Sequence, residues 1–211
     1  MKKTIYFASE REVFPDADRL ALGFGFTPAG GWREGNRQGA AGVVLDDRYP
    51  PADSGLASAV RALEDWEGLI LCDFEQPPAP ALSSLLRRWE GRPVIVPEAW
   101  AELPHRAVLL APYGPGVGFR RWLSARQARY GAVMLDGAPM GFRVPPGGAP
   151  VPAPPPEDPN AGWDCPGALC RCRREGGALR FWDTRETLSR RCRAAGVPVV
   201  VLRREWEDLQ P

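Results

Sequence analysis

GLILCDFEQPP, from Gly68 to Pro78, is a short apolar run that stops abruptly at two carboxylates. Bounded by Gly68 in front and by Pro77 and Pro78 behind, Leu69 to Cys72 has the length and composition of a strand buried on both faces, as in a parallel sheet. Asp73 and Glu75 stand at its carboxyl end. Side chains alternate along a strand, so both carboxylates face one space and Phe74 faces the other. Two acids held close repel, and one of them relieves the repulsion by keeping its proton near neutral pH. The pair therefore reads as a proton donor with a charged neighbour.

On either side of this stretch, strands and helices alternate. Thr4 to Ala8 and Leu20 to Phe26 compete for the role of first strand, and Gly-rich Ala29 to Gly42 reads as a loop. Val43 to Leu45 form a strand ending in Asp46 and Asp47. After Pro50 and Pro51 a helix is predicted from Asp53 to Trp66, with Asp53 as its N-cap. A second helix is predicted from Ala79 to Trp89. LDDRYPPADSGLASAVRALEDWEG and CDFEQPPAPALSSLLRRWEG share an acid, a double Pro, small residues, an Arg-bearing helix and a closing Trp-Glu-Gly, so the repeating unit is strand then helix.

Pro93 to Val96 and Ala107 to Leu110 are further short strands, separated by a helical piece from Glu98 to Leu103. Val117 to Tyr130 reads as a helix, with Phe119, Trp122, Leu123 and Tyr130 for its inner side. Ala132 to Leu135 is a strand ending in Asp136. VPPGGAPVPAPPPEDPN, Val144 to Asn160, is too rich in Pro to be helical and reads as an extended surface loop. A strand at Ala178 to Trp182, a helix at Thr184 to Ala195 and a strand at Val197 to Leu202 follow, before a last turn opened by Glu205 and Trp206.

With one strand taken from the amino-terminal region the count is eight, joined mostly by helices, which predicts an α/β fold of the small (β/α)8 TIM barrel type. The expectation is a single domain over residues 1–211, with the Pro-rich segment at 144–160 as a loop insertion. An open doubly wound parallel sheet is the alternative. It calls for a Gly-rich phosphate turn, and GFGFTPAGG lacks the G-x-G-x-x-G spacing.

The formal net charge of +1 supplies no global field for nucleic acid. MKKTIYFASE has too short an apolar run for a signal peptide, and no stretch approaches the ~20 apolar residues of a membrane span. Cys72, Cys165, Cys170, Cys172 and Cys192 are odd in number and irregularly spaced, which speaks against a disulfide framework and for a cytoplasmic protein. Cys165, Cys170, Cys172 and Cys192 offer four thiolates, but C-x4-C-x-C is unlike the paired knuckles of zinc sites, so neither metal nor cofactor is expected. His105 is the single histidine, and its place before the strand AVLL marks a surface loop rather than a catalytic triad.

Chemistry in such a barrel sits at the carboxyl ends of the strands. Those positions hold Asp46, Asp47, Asp73, Glu75, Glu98, Tyr113, Asp136, Asp183 and Glu205, with Tyr49, Trp100 and Trp182 close by. An acidic mouth rimmed by aromatic rings suits a sugar, whose faces stack on rings and whose glycosidic oxygen needs a proton. Asp183, opening D-T-R-E, reads instead as a helix cap with Glu186 as its partner.

Strand residues followed by D-F-E-x-P resemble the end of the D-x-x-D-x-D-x-E signature of glycoside hydrolase family 18, the chitinases and their relatives. YGAVMLDG, Tyr130 to Gly137, is similar to a later strand of that family, and FWDTRETLSRRCRAAGVPVVVL to its closing helix and strand. The resemblance implies a (β/α)8 barrel with Glu75 as general acid and Asp73 orienting the acetamido group of an N-acetylhexosamine. The acetamido oxygen then attacks the anomeric carbon, so no second protein nucleophile is needed. Leu71 stands where the family has an Asp, no S-x-G-G motif precedes it, and the family's Trp on the last strand has no counterpart. Those departures leave open an inactive carbohydrate-binding module, or an interaction protein that offers the Pro-rich loop to a partner.

Overall fold

The computed structural model describes residues 5–7, 17–114 and 118–201. In chain order the elements are β1 (Ile5–Phe7), β2 (Asp18–Phe26), β3 (Trp32–Arg33), β4 (Gly42–Asp46), α1 (Asp53–Ala62), β5 (Leu69–Asp73), α2 (Pro80–Arg88) and β6 (Val94–Pro97). A 3-10 turn (Glu98–Trp100), β7 (Ala107–Leu110), α3 (Phe119–Tyr130) and β8 (Val133–Asp136) follow. The chain then forms β9 (Gly141–Val144), β10 (Val151–Pro152), β11 (Trp163–Cys165), β12 (Cys170–Glu175) and β13 (Ala178–Trp182), and the last described elements are α4 (Arg185–Ala195) and β14 (Val199–Val201).

The main sheet is a curled set of eight parallel strands, β1, β2, β4, β5, β6, β7, β8 and β14, with β3 added antiparallel to β2. The five strands expected to neighbour one another, β4 to β8, do so in chain order and all parallel. That order lacks the reversal that defines a doubly wound sheet. At the margins, β1 pairs in parallel with both β14 and β2.

Alternation decides which residues face where. Leu20, Val44, Leu71, Ile95, Leu109, Met134 and Val200, one from each of seven strands, form an apolar cluster on the concave side. The residues between them face outward. Val43, Leu45, Ile70 and Cys72 pack there against Leu82, Leu85 and Leu86 of α2, and Val108, Leu110, Val133 and Leu135 against Phe119 and Leu123 of α3. Each fully buried aliphatic side chain contributes about 1.5–3 kcal/mol. A strand buried on both faces needs an unbroken apolar run, which is why these strands are so visible in the sequence.

The two similar units both fold as strand then helix, β4 with α1 and β5 with α2. Arg92 fastens the second unit to the first by donating to the carbonyl oxygens of Leu63 and Glu64. Asp53 is the first helical residue rather than the cap. Ala52 takes the N-cap position without a side-chain bond, and the helix ends at Ala62, short of Trp66. The Gly-rich segment is not wholly loop, since it holds β3.

Three expectations about strands are corrected. Both amino-terminal candidates are strands of the parallel sheet. Ala178 to Trp182 is not, for it pairs antiparallel with β12 and β9 in a second sheet of order β10-β9-β13-β12-β11. The Pro-rich segment is not entirely irregular either: Val151–Pro152 lies at that sheet's edge, a place where Pro, lacking a donor, is tolerated. Arg180 donates to the carbonyl oxygen of Pro154 at 2.6 Å and Trp182 Nε1 to that of Pro159 at 2.7 Å, so the segment is tied down along its length. Leu202, Glu205 and Trp206 lie outside the described residues.

Candidate carboxylate site at the strand ends

Asp46, Asp73 and Asp136 each stand two residues beyond a member of the concave cluster, Val44, Leu71 and Met134. By alternation they project to the same concave side, at the carboxyl ends of β4, β5 and β8. Asp46 and Asp73 are register partners on adjacent parallel strands, which places two carboxylates side by side. Beyond β5 the exposure alternates as expected, with Asp73 exposed, Phe74 buried and Glu75 exposed. Phe74 packs against Trp100 with ring centroids 4.7 Å apart.

The surrounding charges sort into those that build the loops and those that face the mouth. Asp47 accepts the backbone N–H of Glu75 at 3.2 Å and of Gln76 at 2.9 Å, so it clamps the turn that presents Glu75. Asp46 pairs with Arg33 of β3 at 2.5 Å, and its other oxygen accepts the N–H of Arg48 at 3.3 Å. Gly25 makes that approach possible, because a Cβ at this position, φ +155°, would meet Asp46 Oδ1 at 2.8 Å. Glu98 is held by Arg126 at 3.3 Å and accepts the N–H of Ala111 at 3.2 Å. Asp136 accepts the N–H of Ala138 at 2.8 Å.

The aromatic rim does not form. Trp100, Tyr113 and Trp182 are 1%, 2% and 0% exposed, and Tyr49 is half-buried against the outward cluster. Trp100 donates to the carbonyl oxygen of Gln76 at 3.0 Å and supports the mouth from beneath. Tyr113 packs edge-on against Phe119 and Trp122. Burial first, then nearby Cys170, pushes its hydroxyl up to about 12. Trp182 belongs to the antiparallel sheet. These residues read as rim aromatics because rings near a strand end are as apolar as core rings, and only their tertiary partners separate the two cases.

Asp183 is likewise no helix cap. Thr184 caps α4 with Thr187 as its reciprocal partner, while Asp183 lies fully buried against Arg191 in a bidentate pair at 2.8 and 2.6 Å. It also accepts the Met140 N–H at 2.6 Å and the Thr187 hydroxyl at 3.3 Å. Burial presses this carboxyl above its ordinary value, although Arg191, Met140 and Thr187 all pull it down. The site joins β13, α4 and the segment after β8, and has no access to solvent.

Cys165 faces Cys170 across the β11–β12 hairpin, and Cys172 lies on the same face. Among the described residues no group of three or more His, Cys, Asp or Glu side chains has the geometry to hold a metal ion. Burial pushes the Cys170 thiol up, and those of Cys172 and Cys192 up to about 11, so all three are neutral packing groups at neutral pH. His105 Nδ1 donates to the Leu103 carbonyl oxygen at 2.7 Å. No described helix is long and apolar enough to cross a membrane.

Sequence reasoning did not find Arg33 and Arg126, the cations that flank the carboxylates. Each is distant in sequence from its acid, and a lone Arg in a Gly-rich stretch or on a helix carries no local signal of its partner. No family model, curated protein or solved structure matches the chain.

Proposed function

We propose that the curled sheet is a reduced (β/α)8 barrel of the glycoside hydrolase type, and that its carboxylate mouth engages an N-acetylhexosamine-containing glycan. The barrel reading is supported by β1, whose pairing with both β14 and β2 gives each of the eight parallel strands two parallel neighbours. The functional reading rests on one observation: Asp73 stands in register beside Asp46, with Glu75 exposed two residues beyond on a turn clamped by Asp47. In this reading Glu75 gives its proton to the glycosidic oxygen as the bond to the anomeric carbon breaks. Asp73 holds the acetamido group whose oxygen attacks that carbon, and water later opens the cyclic intermediate.

A second reading, binding without turnover, is favoured by Leu71. It is fully buried among Leu20, Val44 and Ile95, so an apolar side chain stands where the resemblance calls for a carboxylate beneath Asp73. The test is hydrolysis and binding of N-acetylglucosamine oligomers by the wild type, Glu75→Gln and Asp73→Asn. Turnover that Glu75→Gln abolishes and Asp73→Asn lowers is the expected result. Binding that survives Glu75→Gln without any turnover establishes the second reading, and absence of both turnover and binding removes the glycan from consideration.

A further inference from the structure

The opposite end of the parallel strands holds a cavity of about 750 Å³ that the carboxylate site does not use. Its strand-borne lining residues are the first or second of their strands: Tyr6 of β1, Asp18 of β2, Leu69 of β5, Ile95 of β6, Ala107 of β7, and Val133 and Met134 of β8. Several of them, Leu69, Ile95, Ala107 and Met134, also belong to or pack on the concave apolar cluster, so the cavity is the unfilled amino end of the sheet's own interior. Small Ala107, rather than a branched side chain, stands at a position where layered aliphatics close a filled interior. Leu69 and Ala107 are only half-buried, and the apolar wall they leave open to water is unfavourable by the area it exposes, a cost that an apolar ligand relieves. The volume lies in the ~300–1,000 Å³ range of small-molecule sites.

The rim sets the polarity of the ligand. Asp18 already has an interaction of its own. The exposed Arg106 and Gln127 stand at the lip, where a guanidinium and an amide offer donors to a group entering from solvent. We infer that this amino-end cavity binds a small anionic amphipath, its apolar tail lodged against Leu69 and Ala107, above the buried Ile95 and Met134, and its anionic head at Arg106. The site is independent of the glycan reading and lies at the other end of the strands.

Decanoate and decanol share a tail and differ in the head, so titrating both by calorimetry into the full chain separates the two halves of the inference. Decanoate should bind more tightly than decanol, and Arg106→Gln should weaken decanoate by about fivefold while leaving decanol unchanged. Ala107→Phe, which places a ring in the cavity, should abolish both. Ala132→Trp at the exposed lip should do the same from outside, and keeps the test open should Ala107→Phe fail to fold. Decanoate binding that persists unchanged in a folded Ala107→Phe or Ala132→Trp variant overturns the site. Equal affinity for the two ligands, or no response to Arg106→Gln, overturns the assigned head group, and no binding of either ligand to the wild type overturns the whole inference.

Discussion

The two sheets of this molecule are built from opposite chemistries. In the parallel sheet, β4 to β8 carry aliphatic residues on both faces, and charge is confined to the strand ends at Asp46, Asp73 and Asp136. In the antiparallel sheet one face carries Cys170, Cys172, Leu179 and Phe181. The other carries Arg171, Arg173 and Arg180 with Asp164 and Glu175, linked at 2.8 to 3.1 Å. The first sheet is held by burial, and β4 to β8 carry acids only where those strands stop. The second is held on one side by packing and on the other by ion pairs set beside the buried Ala178 and Trp182, so the two should fail under different perturbations.

Breaking the joint between them should have the largest effect. Asp183 follows β13, Arg191 lies on α4, and Arg191 also reaches the carbonyl oxygen of Ala138 in the segment leaving β8. Removing one partner leaves the other charge buried, at a cost of about 3–5 kcal/mol. Arg191→Met should therefore lower the Tm by many degrees, and the antiparallel sheet should lose amide protection before β5 and β6 do. A loss below about 1 kcal/mol would mean that the pair does not couple the sheets.

A smaller effect is expected from the Pro-rich edge. Replacing Val151 to Pro156 by Gly and Ser at constant length removes the β10 pairing and the buried Pro156, loosens the carbonyl that Arg180 holds, and frees the unfolded chain. The expected loss is about 1–3 kcal/mol in chemical denaturation. An unchanged midpoint would show that the segment is only a tether.

The same contrast governs how much was legible in the sequence. Runs such as Leu69 to Cys72 and Val43 to Leu45 announce themselves, because a strand covered on both faces has no room for polar residues. Cys170 to Glu175 hid its strand. Its burial alternates at Cys170 and Cys172, a period of two, but the cysteines drew attention as ligands and the arginines masked the alternation. Ala178 to Trp182 was visible as a strand, yet nothing local says which sheet it joins. At the candidate site, Asp46, Asp73 and Asp136 were legible from position alone, since acids at the ends of apolar runs face the mouth by alternation. The burial of Trp100, Tyr113 and Trp182 was not, because it depends on partners such as Gln76, Cys170 and Pro159 that no window around those residues contains.

The smallest effect sharpens the comparison by pH. Arg190 and Arg171 hold the Asp164 carboxyl below its ordinary value of 3.8, and Arg173 and Arg180 hold Glu175 below 4.5. Both folded-state values are depressed, so below the ordinary values the unfolded chain binds more protons than the folded one, and stability rises with pH across that window. The contribution is thus complete above about pH 5 and is lost as pH falls through the depressed values. Both acids are solvated, so the effect should be modest and reduced by salt. Protection factors for amides of β11 to β13 should fall between pH 7 and pH 3, while those of β5 to β7 hold, and 1 M salt at pH 7 should reproduce part of the change. Equal losses in both sheets at pH 3 would mean that the acid response is global and that the ion pairs of the antiparallel face contribute nothing separable.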